Sequence, residues 1–134
     1  MAARFIGLKL DHRDSHVREL TVIWLPTLLI TDHRGVIHYR NVNAVPPDDL
    51  LDVLDLGEAH VRLRWAKPDM AESILAGALA RRDDGPLTPE LLFWHAIAAY
   101  NMGDHDDDAR DRIWARLLRD YPESIWAHRV PWTP

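Results

Sequence analysis

The chain has 134 residues, of which 47% are hydrophobic and 28% charged, and it contains no cysteine. This length suffices for one compact domain or for two small units that share a core. The lack of cysteine excludes disulfides, thiolate nucleophiles, zinc–thiolate sites and iron–sulfur clusters, and the net charge of −5 opposes binding to nucleic acid or to an anionic bilayer.

Neither a membrane span nor a signal peptide is predicted. No apolar run reaches the roughly 18 residues that suggest a transmembrane helix. The start of the chain, Met1 to Leu8, lacks the apolar core and the small-residue cleavage site of a signal peptide. We therefore expect a cytoplasmic protein with no membrane partner.

The N-terminal part begins with a predicted strand and a short helix. Apolar side chains alternate with other residues over Phe5–Leu10, which is typical of a strand. Asp14 or Ser15 can then cap a helix that ends near Leu20.

A β-hairpin is predicted next. Thr27–Thr31 is a short strand with apolar residues on both faces, and Val36–Arg40 is the returning strand. Between them, Asp32–Gly35 has the composition of a turn, in which Gly35 supplies a positive φ.

From Asp48 onward the apolar residues repeat with the period of a helix. The pattern predicts one helix from Asp48 to about Trp65 and a second from Pro68 to Arg82, because proline favours the first helical position and arginine the last turn. We expect no strand after residue 60.

Three further helices complete the predicted C-terminal part. The third helix of this part has Thr88 as its N-cap and stops at Gly103. Asp104 caps the fourth helix, and a short last helix contains Ile125 and Trp126.

A weak internal repeat runs through these helices. The pattern of Ala71–Ala78 returns 38 residues later at Ala109–Arg116, with two of three positions keeping their character. Tyr100, Gly103 and Pro122 stand where a tetratricopeptide helix pair has its aromatic residue, its turn glycine and its closing proline. The two helix pairs resemble tetratricopeptide units. Since such arrays need about three repeats, we expect them to pack on the N-terminal part or on another chain.

The run Val22–Ile37, with Pro26-Thr27 before a strand and an acidic turn with glycine after it, is similar to the second half of a thioredoxin fold. Phe5–Asp11 resembles the parallel strand that precedes it, and the tail from Tyr121 resembles the C-terminal helices of some bacterial thioredoxin-like proteins. The resemblance implies a partial thioredoxin-like α/β unit of about three strands at residues 1–58. An all-α, tetratricopeptide-like region follows at 59–134, and the chain is helix-dominated overall.

The resemblance also shows a departure, because the Cys-x-x-Cys segment of the family is absent. In the thioredoxin sheet, the strand before that segment lies between the strands that Phe5–Leu10 and Thr27–Thr31 resemble. Both would then expose unpaired backbone groups, which favours pairing with another chain and leaves a homodimer open.

The resemblance assigns a peptide-binding groove to Trp24, Leu25, Pro26 and Thr27. Pro26 matches the cis-proline of the family, so we expect a cis bond at Leu25–Pro26 and backbone groups of Leu25 that face an extended ligand. Trp24 either borders this groove or belongs to the core.

The function that follows is a cysteine-free thioredoxin-like protein without redox activity of its own, which binds a peptide or a protein. We expect no catalytic residue, cofactor or metal. The alternative is a remnant or mis-started fragment of a thiol–disulfide oxidoreductase whose active-site segment lies upstream of Met1. In-frame DNA upstream that encodes a strand and Cys-x-x-Cys would favour this alternative.

Three groups of polar residues also have a functional interpretation. His12 and His16, with Asp14 between them, could bind a divalent metal if the stretch were helical, but capping by Asp14 would separate the two imidazoles. The acidic cluster 103–108 lacks the spacing of a calcium loop and suits the first turn of a helix. His95 lies among Leu and Ala, which favours a hydrogen-bonded core histidine over a ligand.

Overall fold

A computed structural model describes residues 4–131. Helix α1 (Ser15–Glu19) precedes a hairpin of β1 (Thr27–Thr31) and β2 (Ile37–Val42). Four longer helices follow, namely α2 (Leu50–Arg64), α3 (Pro68–Arg81), α4 (Thr88–Tyr100) and α5 (Asp107–Asp120). The first three residues of the predicted N-terminal unit and the last three of the helical unit lie outside the described residues.

The hairpin forms where the sequence predicts it. Its strands are antiparallel, with Ile30 opposite Tyr39 and an irregularity between Ile30 and Thr31. The carboxylate of Asp32 accepts hydrogen bonds from the backbone N–H groups of Arg34 and Val36, at 2.9 and 3.1 Å. Gly35 has a φ of +81°, which confirms the predicted turn.

The four long helices pack as consecutive neighbours, α2 on α3, α3 on α4 and α4 on α5. Their short connections make successive helices antiparallel. The largest fully buried apolar side chains all come from this stack, and they are Leu56, Leu75, Leu91, Leu92 and Leu117. The core therefore lies among the helices, and the hairpin is joined to it through α2.

A glycine lets the hairpin approach α2 closely. A Cβ atom at Gly57 would lie only 2.0 Å from Cδ1 of Ile30. Ile30 is the only apolar hairpin residue in the described part of the chain that is buried, with 5% of its surface exposed. The lack of a side chain at Gly57 thus leaves a socket on α2, and Ile30, the one buried side chain of β1, fills it.

Buried carboxylates on α2 hold the end of α3. Asp52 and Asp55 are each 2% exposed. Arg81 binds both of them, at 2.6 Å to Asp52 and 2.9 Å to Asp55, and Arg82 lies 3.1 Å from Asp52. Arg4 reaches Asp55 at 2.8 Å, so the same face of α2 anchors the N-terminal segment. These partners compensate the charges that α2 buries.

Two predicted helix caps are wrong. The cap of α4 is Leu87 and Thr88 is the first helical residue, because the carbonyl of Leu87 already accepts the N–H of Leu91 at 2.9 Å. The cap of α5 is Asp106 instead of Asp104, and its carboxylate accepts the N–H of the residue three positions later at 2.9 Å. The predicted cap of α1 by Asp14 is confirmed.

The predicted strand at Phe5–Leu10 is also wrong. These residues form no strand, since a strand requires hydrogen bonds to a neighbour and they find none among residues 4–131. The described sheet therefore has two strands instead of three. The last predicted helix is reduced to a 3₁₀ turn at Ala127–Arg129.

The helix-dominated architecture is confirmed, and no strand follows residue 60 in the described part of the chain. The expected boundary between residues 58 and 59 falls inside α2, which contacts both the hairpin and α3. Within residues 4–131, no helix has the length and apolar character needed to cross a membrane.

Candidate strand-docking surface

The ladder between β1 and β2 determines which backbone groups of β1 already form hydrogen bonds. At one end, the carbonyl of Pro26 accepts the N–H of Asn43 at 2.9 Å. At the other end, the N–H of Asp32 donates to the carbonyl of Val36 at 3.0 Å. Because backbone groups alternate in direction along a strand, the even-numbered residues of β1 face β2.

The odd-numbered residues of β1 therefore face the opposite side. The N–H and C=O groups of Thr27, Leu29 and Thr31 point away from β2, and no strand among residues 4–131 pairs with them. This free edge of β1 is the edge that the resemblance expects to be unpaired.

A groove of about 170 Å³ lies beside the end of this edge. Ile30 and Thr31 of β1 line one side, Phe5 lines another, and Val61 and Trp65 of α2 contribute to it as well. Ion pairs from Arg4 to Asp55 and Glu58 hold the N-terminal segment on α2 at this groove.

Of the four predicted site residues, Thr27 begins β1 and the other three directly precede it. The side chains of Trp24 and Leu25 are 62% and 53% exposed, so Trp24 is not a core residue. The Leu25–Pro26 bond is cis, as expected. The hydroxyl of Thr27 donates to the carbonyl of Trp24 at 2.6 Å, whereas the backbone of Leu25 finds no hydrogen-bond partner within residues 4–131.

Trp24 and Leu25 also line a depression of about 400 Å³ together with Ile23 and Val17 of α1. Three of the side chains that line this depression are strongly exposed, and they are Ile23, Trp24 and Leu25. We call these three residues the exposed apolar patch. Contiguous apolar surface of this kind is typical of an interaction site.

The residues considered for metal binding have other partners. Nδ1 of His16 lies 2.7 Å from the carboxylate of Asp14, and this contact raises the pKa of His16. His12 lies 3.3 Å from Asp11 instead. His95 is hydrogen-bonded to a glutamate of α3 at 3.0 Å, as predicted. Within residues 4–131, no group of three potential ligands could hold a metal ion.

Sequence reasoning missed a polar cluster between β2 and α2. Nε2 of His38 is 3.0 Å from the carboxylate of Asp32, and both side chains are almost fully buried. This hydrogen bond, aided by those from Val36 and Arg34, lowers the pKa of Asp32 to about 2. Burial, with a smaller effect from His38, lowers the pKa of His60 to about 4.

A second missed pair connects β2 to α4. The hydroxyl of Tyr39 donates to the carboxylate of Glu90 at 3.1 Å. Burial raises the pKa of Glu90 to about 6 and raises that of Tyr39 as well. These residues come from separate elements, so no spacing in the sequence could have indicated that they meet.

No family model matches this chain, and neither a curated protein nor a solved structure matches it. The resemblance to a thioredoxin fold therefore depends on the run Val22–Ile37 and on the order of α1, β1, β2 and α2.

Proposed function

We propose that this chain is a thioredoxin-like binding module without thiol–disulfide activity of its own. It binds an extended segment of another protein as an added strand on the free edge of β1. The observation that carries the proposal is this edge, on which Thr27, Leu29 and Thr31 present backbone groups that no described strand uses.

Strand addition suits the energetics of the hairpin. Three residues offer three N–H donors and three C=O acceptors, and each hydrogen bond contributes about 0.5–1.5 kcal/mol net. A two-stranded sheet is marginal by itself, so a third strand also stabilises the hairpin. Proteins that recognise peptides in this way gain affinity from the backbone and specificity from alternate side chains.

The surroundings of the edge indicate the chemistry of the segment. The groove beside Thr31 has apolar walls from Ile30, Val61 and Trp65, and its arginines Arg4 and Arg62 are both paired with Glu58. The exposed apolar patch lies directly before the start of β1. An uncharged segment with β-branched or aromatic residues at alternate positions complements this surface. The thioredoxin-like part of the proposal is supported by the order of the elements and by the place of Pro26 before β1.

The test measures binding of a fluorescein-labelled heptapeptide of alternating Val and Thr by fluorescence anisotropy. The matched ligand is the same peptide with N-methyl groups at alternate residues, which removes its backbone donors. We expect saturable binding of the first peptide and at least about tenfold weaker binding of the second. Trp24→Ala weakens binding, whereas Ile125→Ala, which removes an exposed apolar side chain elsewhere, leaves it unchanged.

Equal affinity for the two peptides would refute strand addition, because the backbone donors would then contribute nothing. Sedimentation of the chain alone provides a second test. A dimer that the peptide dissociates would mean that a second copy occupies the same edge, and would replace the proposed partner by this chain itself.

A further inference from the structure

Two depressions adjoin at the junction of β2, α2 and α4. The first has a volume of about 430 Å³, and its walls include Ile37, His60 and Arg64. The second has about 380 Å³, and its walls include Pro68 and Ile97. Both share Leu63 and Trp94. Each has the size of a site for a small ligand.

Two buried nitrogens of residues that line the first depression lack a hydrogen-bond partner. They are Nε2 of His60 and Nε1 of Trp94, and neither finds a partner within residues 4–131. The two rings are in contact, with centroids 4.2 Å apart. An indole N–H can only donate, and buried donors are nearly always satisfied by an acceptor. The junction therefore suits a ligand that brings an acceptor oxygen.

The charge around the first depression is complementary to an anion. Arg64 lines it, is exposed, and forms no ion pair with any residue from 4 to 131. The hairpin, residues 27–42, carries one carboxylate, that of Asp32. It is already bonded to His38 and to the N–H groups of Arg34 and Val36. Arg64 is thus the cation available to a carboxylate, for which its guanidinium group is well shaped.

We propose that this junction binds a monocarboxylate with an apolar or aromatic tail. The carboxylate pairs with Arg64, and a rotation of the His60 and Trp94 rings that turns their buried nitrogens towards the depression lets it accept hydrogen bonds from them. The tail crosses Trp94 into the second depression, where Leu63, Pro68 and Ile97 surround it. The free C-terminal residue of a peptide and a small aromatic acid share this chemistry. The proposal uses no residue of the free edge of β1 and is independent of strand docking.

The test is a titration of ¹⁵N-labelled protein, followed through the indole N–H resonance of Trp94. The probes are 4-phenylbutyrate and its amide, and the tripeptide Gly-Gly-Phe with a free or an amidated C-terminus. We expect saturable shifts with the carboxylates and about tenfold weaker binding of the amides, because an amide lacks the charge that pairs with Arg64.

Two variants test the role of the cation. Arg64→Gln lowers the affinity for the carboxylates about tenfold and leaves that for the amides unchanged. The matched control is Arg112→Gln, which removes an exposed arginine of α5 outside both depressions and leaves all affinities unchanged. His60→Phe, which keeps a ring but removes the nitrogen, weakens both classes of probe.

Binding of both carboxylates supports a site that recognises only the carboxylate and the apolar tail, whether or not a peptide carries them. Binding of the tripeptide without phenylbutyrate supports a peptide C-terminus as the source. The proposal is overturned if the Trp94 resonance shows no saturable shift up to about 20 mM probe. It is also overturned if acids and amides bind equally, or if the two arginine variants behave alike.

Discussion

Substitution of Gly57 by alanine tests how the hairpin is held on the helices. The new methyl group would lie 2.0 Å from Cδ1 of Ile30 and 2.9 Å from its Cβ and Cγ1. Ile30 is 5% exposed and cannot turn into solvent without leaving the core. Either Ile30 or the whole of β1 must therefore move away from α2.

The magnitude follows from two opposing effects. Overpacking costs about 1–3 kcal/mol, and a contact as short as 2.0 Å belongs in the upper half of that range. Replacing glycine by alanine inside a helix raises the free energy of unfolding by about 1 kcal/mol. We expect Gly57→Ala to lower the free energy of unfolding by about 1–2 kcal/mol.

Gly77 in α3 provides the matched control. No atom lies within 4 Å of a Cβ built there, so only the helix-propensity gain applies. Gly77→Ala should raise the free energy of unfolding by about 0.5–1 kcal/mol. The two variants therefore shift the midpoint in opposite directions in urea titrations followed by far-ultraviolet circular dichroism.

Equal stabilisation by both substitutions would refute the close approach of β1 to α2. The double variant Gly57→Ala/Ile30→Val gives a second check, because valine lacks the Cδ1 atom that makes the shortest contact. Its destabilisation should be smaller than the sum of the two single effects. Strict additivity would mean that the two side chains do not touch.

Three other predictions concern ionisable groups and thiol chemistry. Asp52→Asn should lower the free energy of unfolding by about 1–3 kcal/mol in urea titrations, because Arg81 and Arg82 lose a charged partner; unchanged stability would contradict the ion-pair network. Folding raises the pKa of Glu90 from 4.5 to about 6. The protonated side chain therefore contributes fully to the free energy of unfolding below pH 4.5, and this contribution is lost as the pH rises through 6. Glu90→Gln should therefore be more stable than the native chain by about 2 kcal/mol at pH 7.5, with the gap closing at pH 4, and a gap independent of pH would be inconsistent with this shift. In the insulin-reduction assay, the chain should not accelerate the reaction of dithiothreitol, since it offers no thiolate; measurable turnover above that background would overturn the exclusion of thiol chemistry.

Local signals account for the parts of the fold that the sequence predicts. The turn at Asp32–Gly35 needs only an Asx side chain and a glycine with positive φ, and both act within four residues. Pro68 marks the start of α3 for a similar reason. The exclusion of thiol chemistry follows from composition alone, and the cis bond at Pro26 followed from the resemblance.

Local signals fail where more than one choice is locally possible. Asp104 and Asp106 are equivalent as caps by residue type, and the course of the loop selects Asp106. Phe5–Leu10 alternates as a strand does, yet alternation describes side chains and does not supply the neighbouring strand that a ladder requires.

Composition and short-range patterns by themselves determined that this chain is cysteine-free and helix-dominated, with one hairpin before its four long helices. Tertiary structure alone decided that Gly57 is a socket, that Asp52 is buried with its arginines, and that His60, Arg64 and Trp94 share one depression. Burial and pairing depend on which distant elements come together, and the physical cost of burying a charge or a donor becomes visible only when its surroundings are known.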